Sequence, residues 1–238
     1  MTSAGTSSLL AAAVQNNAEW CDAVCRSHGL PGAFGDRVWR SPRRTPVYYP
    51  DSVTLRPDAV PGDVLLGIDA SPGCSVKDSY AGLDLTPHGF TELFGAHWIH
   101  RAADLPAPGA PALRAERVRT AGGLRAWQDA WHGADGAPDV FRPTLLEDPE
   151  AVVIAFLDVD ALAGGAVLYR GAGVVGVSNL FAAGGRDVAG AWSSVIAAAA
   201  GHFPGLPLVG YEHGDDLAPA LDSGFTPIGD LRVWLRTG

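Results

Sequence analysis

Apolar and polar positions change period several times along this chain, and each change marks an element. From Ser7 to about Ser27, Leu10, Val14, Trp20, Val24 and Cys25 fall on or near one face at helical spacing. Ser7 or Ser8 serves as cap and Gly29 as stop. Residues 31–45, rich in Pro, Gly and Arg, read as loop, and a β-like run over 45–55 follows, interrupted by Pro50. VLLGID (64–69) and SVKDSYAGLDL (75–85) read as two strands joined by the turn Ala70-Ser71-Pro72-Gly73. Thr86 caps a short helix with Pro87 at its first position, and AHWIHRA (96–102) is a further strand. Three prolines within six residues make LPAPGAPAL (105–113) a linker.

Beyond the linker the pattern gives a strand (112–120), a helix (123–133), a second helical stretch near 143–150 and an almost wholly apolar central strand from Ala151. A hairpin follows: GGAVLYR and VVGVSNLF, joined by Gly171-Ala172-Gly173. The glycine-rich segment 182–190 leads into the helix AWSSVIAAAAGHF. The strand PLVGYE, the helix DDLAPALDS, Gly224-Phe225 and the strand DLRVWLR close the chain. GFTELFGAHWIHR (89–101) echoes GFTPIGDLRVWLR (224–236), a faint sign of internal duplication.

Composition narrows the classes. The 238 residues suit one large or two small domains, and 47% apolar content supports a sizeable core. A net charge of −9 with a single lysine is unsuited to a phosphate backbone, so nucleic acid is not an expected partner. Three cysteines, an odd number, argue against a disulfide framework. Neither a basic leader nor a run of about twenty apolar residues occurs, so neither a membrane nor export is expected, and the expected location is the cytoplasm.

A turn rich in bare N–H groups at a strand-to-helix junction suits a phosphate group. The element order after residue 112, together with that turn, resembles the GNAT (GCN5-related N-acetyltransferase) superfamily. The resemblance implies an α+β protein: a mixed, mostly antiparallel sheet flanked by helices, with an N-terminal helix-plus-strands extension. It divides the chain into 1–111, an N-terminal helix/strand domain for which the echo leaves a degenerate GNAT-like half open, and 112–238, the acyltransferase domain. In the family a loop of the form Arg/Gln-x-x-Gly-x-Gly/Ala holds the diphosphate of coenzyme A. Arg186, Asp187, Val188, Ala189, Gly190 and Ala191 match it, with Ala189 in place of the first Gly, Gly184 and Gly185 preceding it, and Asp187 an unfavourable charge unless it points away. The strand Ser178–Ala182 would offer its backbone to the pantetheine arm. Cofactor-binding candidates are therefore Leu180, Phe181, Ala182, Gly185, Arg186, Val188, Ala189, Gly190 and Ala191. The implied activity is N-acyl transfer from acetyl-CoA to a small-molecule or peptide amine by direct attack, with no metal, and a homodimer is admitted. The alternative is a catalytically silent acyl-CoA-binding or interaction protein.

The usual tyrosine acid falls at Ala220, which favours that alternative. Replacement catalytic candidates are Tyr211, Glu212 and His213, with Glu212 the first choice for base, and neighbouring acids expected to raise Glu212 and His213. Asp215 or Asp216 would cap the next helix.

Other motifs are weaker. Gly171–Gly176 spells GxGxxG, but a β-type run follows it where a dinucleotide site needs a helix. Cys21, Cys25 and His28 share a helix face without a clear fourth ligand. Lys77, Asp78, Ser79 and Tyr80 form either the wall of an acceptor pocket or, more plainly, a solvated face with a half-buried tyrosine.

Overall fold

The apolar stripe at the start of the chain becomes α1 (Ser3–Ser27), which begins before the expected serine caps. The computed structural model describes residues 3–109, 111–133, 136 and 138–238, and the side chains from Gly5 onward. After α1 come β1 (Ala33–Phe34), β2 (Val38–Arg40), β3 (Ser52–Thr54), α2 (Pro61–Leu65), β4 (Ser75–Asp78) and β5 (Phe90–Arg101). The second half contains β6 (Arg114–Arg117), α3 (Ala121–His132), β7 (Ala151–Asp158), β8 (Ala161–Gly171), β9 (Val174–Ala182), α4 (Val188–His202), β10 (Leu208–Glu212), α5 (Leu217–Asp222) and β11 (Thr226–Arg236).

Two readings of the pattern need correcting. The run VLLGID is not a strand. Pro61 opens a helical turn and the Asp63 carboxylate accepts the Val60 N–H at 3.0 Å, which fixes α2. An apolar run this short does not distinguish strand from helix by period. Two short strands, β1 and β2, lie within the stretch read as loop, where Trp39 is fully buried.

The strands form one sheet in the order β1-β2-β3-β4-β11-β5-β10-β9-β8-β7-β6. The linker near residue 111 divides the chain but not the sheet. β11 lies between β4 and β5 of the first half, while β5 lies between β10 and β11 of the second. These two central strands carry the Gly-Phe-Thr echo, and they pair antiparallel in a self-matching register: Leu235 opposite Thr91 and Thr226 opposite His100. Their flanks match too. Arg236 Nη1 donates to His88 O at 3.1 Å, and Arg101 Nε donates to Ser223 O at 3.0 Å. Among the described residues, only β9/β10 and β3/β4 are parallel pairs.

Alternate strand residues feed opposite faces. Val153 and Val167 pack under α1 and α3 with Trp20, Trp127 and Phe141. Ile154, Ala166 and Leu168 pack against Trp192, Val195 and Phe225 of the α4 side. The hairpin between β8 and β9 turns through Ala172 and Gly173, both at positive φ, so the GxGxxG glycines belong to a turn. Among the described residues no helix is long and apolar enough to cross a membrane, and no group of three or more His, Cys, Asp or Glu is arranged to hold a metal.

Candidate active site

The sheet opens between β9 and β10. β9 and β10 pair in parallel through Leu208–Val175 and Val209–Gly176, and the ladder stops there. Beyond it β9 carries a bulge: its register to β8 shifts between Gly165 and Val167, and Asn179 sits at φ 54. A bulge of this kind bends a strand and re-aims its backbone groups. A left-handed backbone at a non-glycine residue is sparsely populated and needs support from its surroundings.

Two hollows meet at this opening. One, of about 240 Å³, lies under α1 and is lined by Asn17, Trp20, Cys21, Tyr48, Tyr49, Lys77, Phe94, Ser178, Asn179, Tyr211, Glu212 and His213 among others. The other, of about 300 Å³, runs toward α4 between Leu180, Phe181, Ala182, Arg186, Val188, Trp192, Glu212 and Asp216. Leu180 and Glu212 line both.

Glu212 is half-buried, and its carboxyl is pushed up to about 8, chiefly by burial and then by the nearby Asp216 charge. The neighbouring acid contributes less than desolvation. Asp216 makes no side-chain capping bond to α5, and neither does Asp215 open the preceding turn with one, so the expected cap is absent. Tyr211 packs edge-on against Trp98 with ring centroids 5.5 Å apart. His213 is exposed and stacks on Phe94 at 4.8 Å. Ala220 is fully buried and presents nothing to either hollow.

The cofactor-loop candidates separate into three groups. Leu180, Phe181, Ala182, Arg186 and Val188 line the groove. Gly185 is exposed at φ 70 beside it, following Gly184 at φ 67. Ala189, Gly190 and Ala191 lie inside the first turns of α4, which starts at Val188. Ala191 is in the core, and its N–H is the first that a helix starting at Val188 uses for itself. Gly190 faces the linker, where a Cβ would meet Ala112 Cβ at 3.4 Å. Asp187 caps α4, its Oδ1 accepting the Ala189 N–H at 2.9 Å. Its charge therefore sits at the helix end rather than pointing away, and it occupies one donor that a diphosphate would use. Arg186 pairs with Asp158 at 2.9 Å across the loop, an exposed and weak contact.

The segment Lys77–Tyr80 is not a solvated face. Lys77, Asp78 and Ser79 are buried, and Asp78 accepts the Leu83 N–H at 2.7 Å. Residues missed by pattern reading are Asn17, Trp20, Tyr49 and Asn179. The Tyr49 hydroxyl reaches Asn179 Oδ1 at 3.5 Å, bringing a first-half side chain onto the bulge. Tyr48, exposed beside it, holds φ 72, a costly backbone for an aromatic residue.

No protein-family model matches the chain, and no curated protein matches it by sequence. Solved structures do. A GCN5-related N-acetyltransferase from Kribbella flavida superposes with a TM-score of 0.63 at 16% identity, covering 93% of this chain and 95% of its own. The fold is that of the GNAT superfamily. A functionally unknown conserved protein from Staphylococcus epidermidis gives a TM-score of 0.61 at 9% identity, covering 87% of this chain and 93% of its own. A protein from Novosphingobium aromaticivorans assigned to the GNAT acetyltransferase family gives 0.56 at 14%, covering 94% and 98%. Because these likenesses run nearly end to end in both chains, the first half of this GNAT-fold chain belongs to the shared architecture as much as the second.

Proposed function

We propose that this protein is an acyl-CoA-dependent N-acyltransferase, with acetyl-CoA as donor and an amine as acceptor. The observation that carries it is the opened β9/β10 seam, where Glu212 lines both the cavity under α1 and the groove toward α4. A thioester lying in the groove would present its carbonyl to the bulged strand, and an amine in the cavity would approach from the other side.

The residues divide the work. Backbone amides of the bulge around Asn179 would stabilise the oxygen of the thioester carbonyl as negative charge develops on it. Glu212, as carboxylate, takes a proton from the attacking amine, directly or through water. The C–N bond forms, the C–S bond breaks, and CoA leaves as the thiolate. Holding both reactants in one seam supplies much of the rate. Val188 and Gly190 N–H groups, without intrahelical partners at the start of α4, would meet the diphosphate together with Arg186.

The second reading, a binding protein without turnover, is favoured by two features: Asp187 at the mouth of the phosphate cradle and a buried Ala220 in place of a hydroxyl acid. Release of free CoA thiol from acetyl-CoA in the presence of an amine panel separates the two. Amine-dependent thiol release supports transfer. CoA binding without it supports the silent scaffold.

A further inference from the structure

Lys77 is the only lysine of the chain, and it is buried to 4% exposure on β4. Its Nζ donates to Asn17 Oδ1 at 2.8 Å and to Tyr211 Oη at 3.2 Å, and lies 4.4 Å from the Tyr211 ring centroid. Among the described residues no carboxylate pairs with it. An ammonium carries three donors, so one is left over, and Lys77 lines the cavity under α1. Desolvation works against its charge, but attraction to Tyr211 and Cys21 as these ionise, with the hydrogen bond to Tyr211, raises its pKa above the ordinary lysine value. A buried cation without an anion costs several kcal/mol, and most such charges in proteins are paired. Here the missing partner has a place to sit.

The cavity restricts what that partner is. At about 240 Å³ it holds a small molecule rather than a folded chain, and Trp20, Tyr48, Tyr49 and Phe94 wall it with rings. Glu212 lines the same cavity and Asp216 the adjoining groove; with Glu212 protonated below about pH 8, one positive charge in the cavity stands against one negative charge beside it. That balance accepts a monoanion and opposes a dianionic phosphate. Tyr211, which touches Lys77, is the residue next to Glu212 on β10, so the cation and the carboxylate share one small space.

Resting on the acyl-CoA reading above, we propose that the acceptor is a free amino acid with an apolar or aromatic side chain. Lys77 pairs with its carboxylate, Glu212 faces its amine, and the aromatic wall takes its side chain. Lys77 is then the residue that sets substrate specificity.

The test compares L-phenylalanine with L-phenylalaninamide and 2-phenylethylamine, and L-leucine with L-leucinamide and 3-methylbutylamine. Binding is read from tryptophan fluorescence, since Trp20 lines the cavity, and turnover from thiol release. The acid of at least one series is expected to exceed its amide and amine by about 100-fold in kcat/KM and in affinity, the scale of losing a buried charge partner. Lys77→Met is expected to raise KM for the acid and collapse that ratio to within a few-fold of one; Lys77→Arg, keeping the charge, retains part of it. Equal treatment of acids, amides and amines by the wild-type chain overturns the proposal without any variant. So does a ratio that survives Lys77→Met. A separate CoA titration keeps the two failures apart: CoA binding with no carboxylate preference defeats this proposal alone, whereas absence of CoA binding defeats the acyl-CoA reading, and the fluorescence comparison still decides whether Lys77 binds a carboxylate.

Discussion

Lys77 and Tyr211 occupy matching places in the two halves of the molecule and touch one another. In the ladder Lys77 stands opposite Val233 of β11, as Tyr211 stands opposite Trp98 of β5, and Lys77 Nζ lies 3.2 Å from Tyr211 Oη. The cavity under α1 therefore lies at the seam where the halves exchange their last strands. Neither half alone would enclose it, because one supplies the cation and the other the carboxylate.

Tyr211→Phe tests that contact. The ring stays and so does its attraction for the ammonium, but one acceptor for a buried charged donor is lost. The expected cost is about 1–3 kcal/mol of folding stability in urea unfolding, the range for leaving a buried polar group unsatisfied. An unchanged midpoint would show that the hydroxyl does not support Lys77.

Burial pushes the Glu212 carboxyl up to about 8 in the fold, from an ordinary 4.5. The folded state therefore holds the proton to higher pH than the unfolded state does, and ionisation costs stability progressively between those two values. Glutamine has nothing to ionise. Glu212→Gln is expected to raise Tm relative to wild type by an amount that grows across this window and levels off above pH 8. For activity the sign reverses: the base works only as carboxylate, so wild-type kcat/KM should climb with pH through about 8 and the variant should lack that limb. A Tm difference that does not change with pH contradicts both statements.

Asp187→Asn keeps a capping oxygen for the Ala189 N–H and removes a negative charge from the end of α4. If the groove takes a diphosphate, the CoA dissociation constant should fall by a few-fold up to about ten-fold, on the scale of one charge at a helix end. Asp187→Ala removes the cap and should cost about 0.5–2 kcal/mol of stability. Calorimetric titration with CoA measures the first and thermal unfolding the second.

Gly176 fixes how closely α1 approaches the sheet. A Cβ at this position would collide with Asn16 Oδ1, and Asn16 Nδ2 donates to Tyr169 O at 2.9 Å and Gly171 O at 3.2 Å. Gly176→Ala should therefore destabilise by about 1–3 kcal/mol, the usual cost of overpacking, and shift α1 over the cavity. Unfolding at an unchanged denaturant midpoint would show that α1 yields without cost.

Much of the second half is legible in its residues. The hairpin follows from Gly171-Ala172-Gly173, α4 from the small-residue run after Trp192, and the site strand from PLVGYE, because each signal is local. The repeated Gly-Phe-Thr also pointed at the two central strands, β5 and β11. Their exchange between halves was not legible, since pairing partners more than a hundred residues apart leave no trace in either segment's period. Asn16 and Asn17, adjacent amides on the first helix, are a sequence signal for buried polar contacts: Asn16 ties α1 to β8 and Asn17 accepts from Lys77 in the cavity. Tyr48 and Tyr49 gave none, because they sit in an irregular segment broken by Pro50. Glu212 was picked out by its position after the strand, yet the main cause of its raised pKa is burial, which only the packed fold supplies.

The central claim is that the groove between β9, β10 and the start of α4 is a coenzyme A site. Thermal unfolding with and without CoA tests it most directly. A ligand at a hundred times its dissociation constant stabilises the fold by about 2.7 kcal/mol, which for a chain of this size raises Tm by about 5–10 °C. That rise, growing with the logarithm of CoA concentration, is the expected result. A Tm that stays fixed from micromolar to millimolar CoA would contradict it.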